Sequence, residues 1–432
     1  MTTKRFEIHA RPQMFVVGSL LAMVAILITS APPHAQSFSS GSTGSDGALT
    51  IGSNQGTIIF DPQDTARWGK VLDPDGDGVY NFTTITIGSG SALRLQGDKV
   101  NRPLYWLASG DVLINGGLDL SGAGGPPGTT DVSLRRQVAI PGSGGYAGGA
   151  AGRTSTPTLP ATAGDGPGGG SGGIISGGSC SSGNICGKGG TFTGNRYLIP
   201  LIGGSGGEGA AWSDATFYSG GAGGGAILIA SSTVITLNAS INASGGAGTS
   251  LVGGGGSGGA IRLVAPVLAG NGNGSFLVSG GSGNTTSVSG SPGWVRLEGF
   301  QISTAYSFPT GGAFVTRGSP VDPSSLRPAS SIRVTAIDGV AVSGNPSGSF
   351  ALPDVTISKN TAVNVDIQAT GIPPGTVVTL QVYPQTPTDI NTVNLPTAQA
   401  TLAGTLQSSA ATATFTFPYG FSRGYVRASW TQ

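Results

Sequence analysis

Apolar residues alternate with polar residues in short segments that return at a fixed spacing of 34 residues. The matching positions are Ile227, Ile261 and Val295 in one series, and Ile229, Leu263 and Leu297 in the next. Alternate side chains of a β-strand share one face. A strand-containing unit that recurs at a fixed period buries its apolar face against neighbouring copies. The pattern therefore predicts an all-β chain that contains a parallel β-helix with coils of about 34 residues.

The predicted β-helix spans residues 49–303. A second matching segment follows the first strand of each coil, at residues 241–246 and 276–281, and an earlier copy occupies residues 105–109 and 118–122. Between the copies, residues 122–225 lose the alternation and become rich in glycine. Because the coils before and after this stretch match, it is predicted to be a large insertion in one loop.

Three physical forms are open to a glycine-rich insertion of this length. It can be a flexible linker, a series of tight glycine turns, or a set of packed, extended helices of the polyproline II type. Apolar residues such as Ile174 and Leu198 offer anchors for an ordered form.

The last hundred residues form a second predicted domain. Residues 304–330 contain four prolines and are predicted to be a linker, and glycine becomes scarce after them. Five alternating segments follow, at residues 332–336, 362–367, 377–382, 411–417 and 425–430. Short strands at this spacing, separated by turn residues, predict an immunoglobulin-like β-sandwich over residues 331–432.

The N-terminus has the features of a secretory signal peptide at residues 1–35. Lys4, Arg5 and Arg11 precede an uncharged apolar run from Met14 to Ile28, which is short for a membrane span. A Ser/Gly linker at residues 36–48 follows. The sequence thus predicts a protein that is secreted or held at the cell surface, with no membrane span in the mature chain.

Charge and histidine content exclude several classes of function. Residues 1–35 hold three of the 21 basic and one of the 20 acidic residues, which leaves 18 against 19. A chain without a basic excess is not expected to bind nucleic acid. His9 and His34 both lie in the signal peptide. The mature chain therefore offers no Ser-His-Asp triad and no histidine-ligated zinc, and catalysis is the less favoured expectation.

Cys180 and Cys186 are the only cysteines of the chain. Two nearby thiols in an exported protein most often form a disulfide, and we expect one here that closes a tight loop.

Asp73, Asp75 and Asp77 alternate with proline and glycine in a short acidic segment. This spacing resembles the start of an EF-hand loop and is a candidate calcium site, although Thr84 stands where the bidentate glutamate belongs. The alternative is an Asp/Gly turn that leads into a strand. No other cofactor is expected.

Aromatic and charged residues gather at a few positions in a chain that is only 9% charged. The predicted ligand-contact residues are Arg196, Tyr197, Glu208, Trp212, Asp214 and Tyr218 in the insertion, and Arg262 and Arg296 on the coils. Aromatic rings and carboxylates are common in sugar-binding sites, and the arginine pair suits an acidic glycan. The alternatives are packing of the insertion on the coils and two solvated arginines stacked on neighbouring strands.

Residues 77–85, residues 106–112 and the Gly-Gly-Ala-Ile-Arg-Leu coil resemble uncharacterised, secreted glycine-rich β-solenoid proteins of bacteria. The glycine texture is similar to PE-PGRS proteins, and the coil distantly resembles pectate-lyase-like β-helices. The latter resemblance implies a fold. It does not carry over the activity, because the coil strands contain Arg262 and Arg296 but no aspartate cluster.

Three functions are consistent with these features. The preferred one is an exported, non-catalytic surface or adhesive protein that binds polysaccharide. The second is a β-helix polysaccharide lyase or glycoside hydrolase, and the third is a purely structural envelope component.

Overall fold

The computed structural model describes most of the chain after the predicted signal peptide. The described residues are 37–128, 130, 137–155, 158, 160–174, 180, 183–213, 216–308, 314–320, 323–328, 330–344, 346, 353–384, 397–420, 422–428 and 430. The predicted signal peptide and Asp214 lie outside them.

The fold is nearly all β, and its largest part is a curled parallel sheet. The strands of this part are β1 (Gly47–Ile51), β2 (Gly56–Ile59), β3 (Val79–Ile87), β4 (Ser91–Arg94), β5 (Leu104–Ala108), β6 (Val112–Ile114), β7 (Gly117–Asp119), β8 (Gly152–Arg153), β9 (Ala211–Trp212), β10 (Ala226–Ser231), β11 (Val234–Leu237), β12 (Ser240–Asn242), β13 (Ala260–Val264), β14 (Val267–Ala269), β15 (Ser275–Leu277), β16 (Trp294–Glu298), β17 (Gln301–Ile302) and β18 (Val315–Gly318). Helix α1 (Thr65–Trp68) and two 3₁₀ turns, Thr249–Leu251 and Pro323–Leu326, complete it.

The strand register follows the 34-residue spacing. Strand β10 pairs with β13 so that Ile227 aligns with Ile261, and β13 pairs with β16 so that Ile261 aligns with Val295. All of these pairs are parallel. Strand β5 pairs on the other side of β10, which confirms that residues 104–108 belong to the same series. In a second, five-stranded sheet, β12 lies between β7 and β15. The apolar side chains of both sheets share one core that includes Trp106 and Phe276.

The glycine-rich residues pack as extended segments that exchange backbone hydrogen bonds. Every third amide of residues 220–226 donates to the same neighbouring segment. The bonds are Gly220, Gly223 and Ala226 to the carbonyls of Gly149, Tyr146 and Ser143; Gly221 and Gly224 to Gly254 and Ser257; and Ala222 and Gly225 to Ala123 and Leu120. A rotation of three residues per turn with no bonds inside the segment is the geometry of a polyproline II type helix. We call this packed set the glycine-rich bundle.

Side-chain volume explains why glycine dominates the glycine-rich bundle. A Cβ atom added to Gly223 would lie closer than 3.0 Å to the backbone of Gly204, and most other glycines of the bundle meet a backbone in the same way. The packed, extended form predicted as one of three alternatives is therefore confirmed for the described part of the insertion. Residues 243–259 and 278–293, which connect the later coils, join the same bundle.

The C-terminal residues form two antiparallel sheets. Their strands are β19 (Ser331–Ile337), β20 (Val340–Ala341), β21 (Val363–Thr370), β22 (Val377–Pro384), β23 (Thr397–Thr401), β24 (Ala403–Gly404), β25 (Ser409–Phe415) and β26 (Ser422–Ala428). The sheet orders are β20-β19-β21-β25-β24 and β23-β22-β26. Both sheets contribute to one apolar cluster that contains Val365, Ile367 and Leu380. All five strands predicted here are present, and β20, β23 and β24 are additions.

The stretch predicted to be a linker at residues 304–330 contains ordered structure. Strand β18 pairs with β16 and extends the parallel sheet to Gly318. The turn Pro323–Leu326 packs on the parallel strands, and its residue Leu326 is fully buried in the apolar cluster there. The parallel part therefore reaches beyond residue 303.

Candidate functional site

Strand pairing places the two predicted coil arginines side by side. Arg262 of β13 aligns directly with Arg296 of β16, which confirms the predicted stack. The predicted solvation is wrong for Arg262, whose side chain is only 1% exposed, and Arg296 is exposed by 11%. Two adjacent guanidinium groups with so little water require a counter-ion.

Glu298 supplies that counter-ion. Its Oε1 atom lies 3.2 Å from Nε of Arg262 and 3.0 Å from Nε of Arg296. Arg262 also donates to the Ser325 carbonyl at 3.1 Å, so the turn Pro323–Leu326 covers it. Glu298 was not among the residues predicted from the sequence. Its position two residues after Arg296 was a usable signal, since residues i and i+2 of a strand share a face.

Tyr197 contacts Arg296 of this pair and is 48% exposed. The guanidinium carbon of Arg196 is 4.9 Å from the centre of the Tyr197 ring, and that of Arg296 is 5.6 Å away. Arg196 also donates to the Tyr197 hydroxyl at 2.7 Å. The two distances from a guanidinium carbon to the ring centre are typical of cation–π contacts. We call Arg196, Tyr197 and Arg296 the arginine–tyrosine patch.

A short turn holds Arg196 and Tyr197 in place. The Asn195 side chain accepts a hydrogen bond from the Tyr197 amide at 2.8 Å. Leu198 follows with a positive φ of 53° and is fully buried in an apolar cluster against Leu228 and Val264. Thr316 of β18 donates to the Arg196 carbonyl at 2.7 Å. The loop is therefore anchored on both sides of the exposed ring.

The patch carries an excess of positive charge. Arg262 and Arg296 share the carboxylate of Glu298, and Arg196 contacts the same Tyr197 ring as Arg296. Arg196 is exposed at the edge of this group. The arrangement offers an aromatic face and cationic hydrogen-bond donors to a molecule in solution.

The other described candidates of the insertion, Glu208, Trp212 and Tyr218, pack within the glycine-rich bundle. Trp212 and Tyr218 form an edge-to-face pair with ring centres 5.4 Å apart, and both pack on a small cluster that contains the disulfide. Glu208 is 8% exposed, and its Oε2 atom accepts the amides of Gly173 and Lys188 at 2.9 and 3.1 Å. Burial raises the pKa of Glu208, although these amides act to lower it. The geometry gives these three residues a structural role in the glycine-rich bundle.

The predicted disulfide between Cys180 and Cys186 is present, and both residues are fully buried. The disulfide joins two residues that are six positions apart in the sequence. It packs in a cluster with Val252 and Val288, which lie in the loops between the later repeats. The bridge therefore fixes the edge of the glycine-rich bundle.

Asp73, Asp75 and Asp77 converge so that their carboxylate oxygens all lie within 4.8 Å of one another. Asp73 is buried, and it accepts hydrogen bonds from the amides of Asp77 and Gly78 and from Arg102 at 3.0–3.1 Å. Burial and the hydrogen bond with Asp75 raise the pKa of Asp73 to about 8, against the opposing effect of Arg102.

These contacts suit the predicted Asp/Gly turn before β3, since Asp73 closes the loop through backbone amides. The oxygen cluster also has the composition of a calcium site. Calcium binding stays a prediction, which a titration of the purified protein with Ca²⁺ tests.

No protein-family model, curated protein or solved structure matches this chain. Among the described residues, no helix has the length and apolar character needed to cross a lipid bilayer.

Proposed function

We propose that the protein is an exported, non-catalytic surface protein that binds acidic polysaccharide through the arginine–tyrosine patch. The observation that carries this proposal is the half-exposed ring of Tyr197, which contacts the guanidinium groups of Arg196 and Arg296. The signal-like N-terminus and the disulfide support export.

The patch has the two kinds of group that an acidic sugar chain uses. The apolar face of a sugar ring packs on an aromatic ring such as Tyr197. A carboxylate or sulfate on the same or the next sugar accepts charge-assisted hydrogen bonds from Arg196. The single negative charge of Glu298 is shared by two guanidinium groups, Arg262 and Arg296, so these three side chains keep a net positive charge that favours an anion.

The scaffold in this proposal is a parallel β-helix followed by an immunoglobulin-like sandwich. Each repeat adds one strand to each of three parallel ladders, which supports the β-helix. Asparagines at the same turn of successive repeats also stack: Asn238 donates to Asn115 at 2.8 Å and accepts from the Asn271 amide at 3.0 Å. Such a rod holds a surface patch rigidly while its ends serve attachment.

A sedimentation assay tests the proposal. The purified protein is mixed with calcium-alginate gel or with insoluble polygalacturonate, and with cellulose as an uncharged control, in 20 and 300 mM salt. We expect retention on the two acidic polymers, loss of retention at the higher salt because exposed charges are screened, and no release of reducing sugar.

The variants Arg196→Ala and Tyr197→Ala are expected to lower the affinity for the acidic polymers by a factor of 10 or more. Arg67→Ala is the matched control, because Arg67 is also an exposed arginine that stacks on an aromatic ring, that of Trp68 at 5.8 Å. Equal retention of the wild type and both patch variants would refute the patch. Released oligosaccharide would favour the lyase or hydrolase alternative.

A further inference from the structure

A large cleft separates the parallel part of the molecule from the C-terminal sheets. Its volume is about 1420 Å³, above the ~300–1,000 Å³ of pockets that hold one drug-sized molecule. Contacts across the cleft fix its width. Arg427 pairs with Asp165 at 2.6 Å, and Arg102 donates to the Gly344 carbonyl at 3.2 Å.

Aromatic side chains line the C-terminal wall of the cleft. They are Phe417, Tyr419, Tyr425 and Trp430. Phe417 also packs on Phe415 in the core behind it, with ring centres 4.7 Å apart. Tyr419 is 94% exposed at a turn and stands at the cleft without support from the core. Tyr419 is thus the exposed ring of this wall, and Phe417, Tyr425 and Trp430 are half-buried beside it. An exposed ring beside half-buried ones is consistent with a binding surface.

The opposite wall carries polar side chains among apolar ones. Asp98, Lys99, Asn101 and Arg102 line it, together with Tyr146 from the glycine-rich bundle. Over the whole lining, five aspartates face five lysines and arginines. Arg427 and Asp165 of the lining also pair with each other. The formal charges of the described lining residues therefore balance.

We propose that this cleft binds a linear, uncharged oligosaccharide. Such a chain is long enough to occupy the cleft, and it presents apolar C–H faces to one side and hydroxyl groups to the other. The aromatic wall accepts the apolar faces, and the opposite wall offers both donors and acceptors to the hydroxyls. This site is separate from the arginine–tyrosine patch, and its ligand differs from the acidic polymer expected there.

Isothermal titration with cellohexaose, xylohexaose and mannohexaose tests the cleft. Ser358→Trp places a bulky ring in the cleft from an exposed loop position, so it blocks the space without disturbing the core. We expect at least one hexasaccharide to bind the wild type, and Ser358→Trp to weaken that binding by a factor of 10 or more. Ser287→Trp is the matched control at an exposed turn that does not line the cleft, and it should bind normally.

Tyr419→Ala is a second, milder variant, because Tyr419 is exposed and its removal leaves the fold intact. It should weaken hexasaccharide binding three- to tenfold while retention on polygalacturonate stays unchanged. Arg196→Ala should show the opposite pattern, so failure of the patch and failure of the cleft are distinguishable. The cleft proposal is overturned if none of the three hexasaccharides binds, if Ser358→Trp binds as well as the wild type, or if a hexauronate binds the cleft more tightly than the neutral chains.

Discussion

Replacing Glu298 by glutamine removes the carboxylate that holds Arg262 and Arg296 together while keeping nearly the same shape. In the wild type this carboxylate accepts hydrogen bonds from both guanidinium groups, at 3.2 and 3.0 Å. Glutamine has one carbonyl oxygen and no charge. The variant therefore leaves two adjacent cations, one of them 1% exposed, without a counter-ion.

The expected loss follows from that burial. Removing one partner of a buried ion pair costs about 3–5 kcal/mol, because the remaining charge stays desolvated. Arg262→Met is the matched comparison. It leaves Glu298 paired with Arg296, so the loss is limited to hydrogen bonds to a charged group, about 1.5–3 kcal/mol. Glu298→Gln should therefore be the more damaging change of the two.

Urea unfolding followed by circular dichroism measures the global free energy, and hydrogen exchange resolves the effect by segment. The loss should concentrate in Ala260–Val264 and Trp294–Glu298, the two strands that carry the arginines. The reasoning would be refuted by a Glu298→Gln protein within about 1 kcal/mol of the wild type, since that is below the cost of an unpaired buried charge. A larger loss in Arg262→Met than in Glu298→Gln would refute it equally.

Three further predictions concern other parts of the molecule. Gly223→Ala should destabilise the protein by about 1–3 kcal/mol, the usual cost of an extra methyl group in a packed interior, whereas Ala222→Gly should cost less. Thermal unfolding compares the two variants. Equal unfolding midpoints would contradict the tight packing of the glycine-rich bundle at Gly223. Reduction of the Cys180–Cys186 disulfide should lower the free energy of unfolding by about 2 kcal/mol, the chain-entropy value for so short a loop. Hydrogen exchange near residue 180 should become faster. Unchanged exchange would mean that the disulfide does not constrain this part of the chain. The pKa of Asp73 is raised from 3.8 to about 8. The folded state therefore holds a proton that the unfolded state releases, and the free energy of unfolding should fall as the pH rises from 4 to 8. Measured in EDTA, the Asp73→Asn variant should lose this pH dependence, and an unchanged slope in the variant would assign the dependence to another group.

The repeat could be predicted from the sequence to the residue. Two independent series of apolar positions share the 34-residue spacing, and the inward side chains of a strand must alternate. Only one register satisfies both series, and the pairing of Ile227 with Ile261 follows. The strands of the C-terminal sheets were predictable for the same reason. Strand β23 was not, because the inward residues of Thr397–Thr401 are alanines, which give only a weak apolar signal. The two-residue strands β20 and β24 are too short to show a pattern.

The environment of the arginines could not be predicted from local sequence. Arg262 can be buried because the carboxylate of Glu298 balances its charge and Ser325 covers it. Ser325 belongs to a proline-containing stretch that was predicted to be a linker. Burial of this kind depends on a contact between residues 63 positions apart, which no periodicity encodes. The contact of Tyr197 with Arg296 also depends on residues far apart in the sequence, because the turn at Asn195 packs against strand β16.

The glycine-rich bundle has a consequence for how stability varies with temperature. The heat capacity of unfolding comes from newly hydrated surface: apolar surface raises it by about 0.45 cal/mol/K per Å², and polar surface lowers it by about 0.26. Segments that touch through backbone hydrogen bonds, with no side chains between them, release mainly peptide groups to water. The bundle should therefore add little to the heat capacity change, well below the roughly 12–15 cal/mol/K per residue of an ordinary core. A protein with such an interior has a flattened stability curve, and it keeps its cohesion in the cold, where a core of aliphatic side chains weakens.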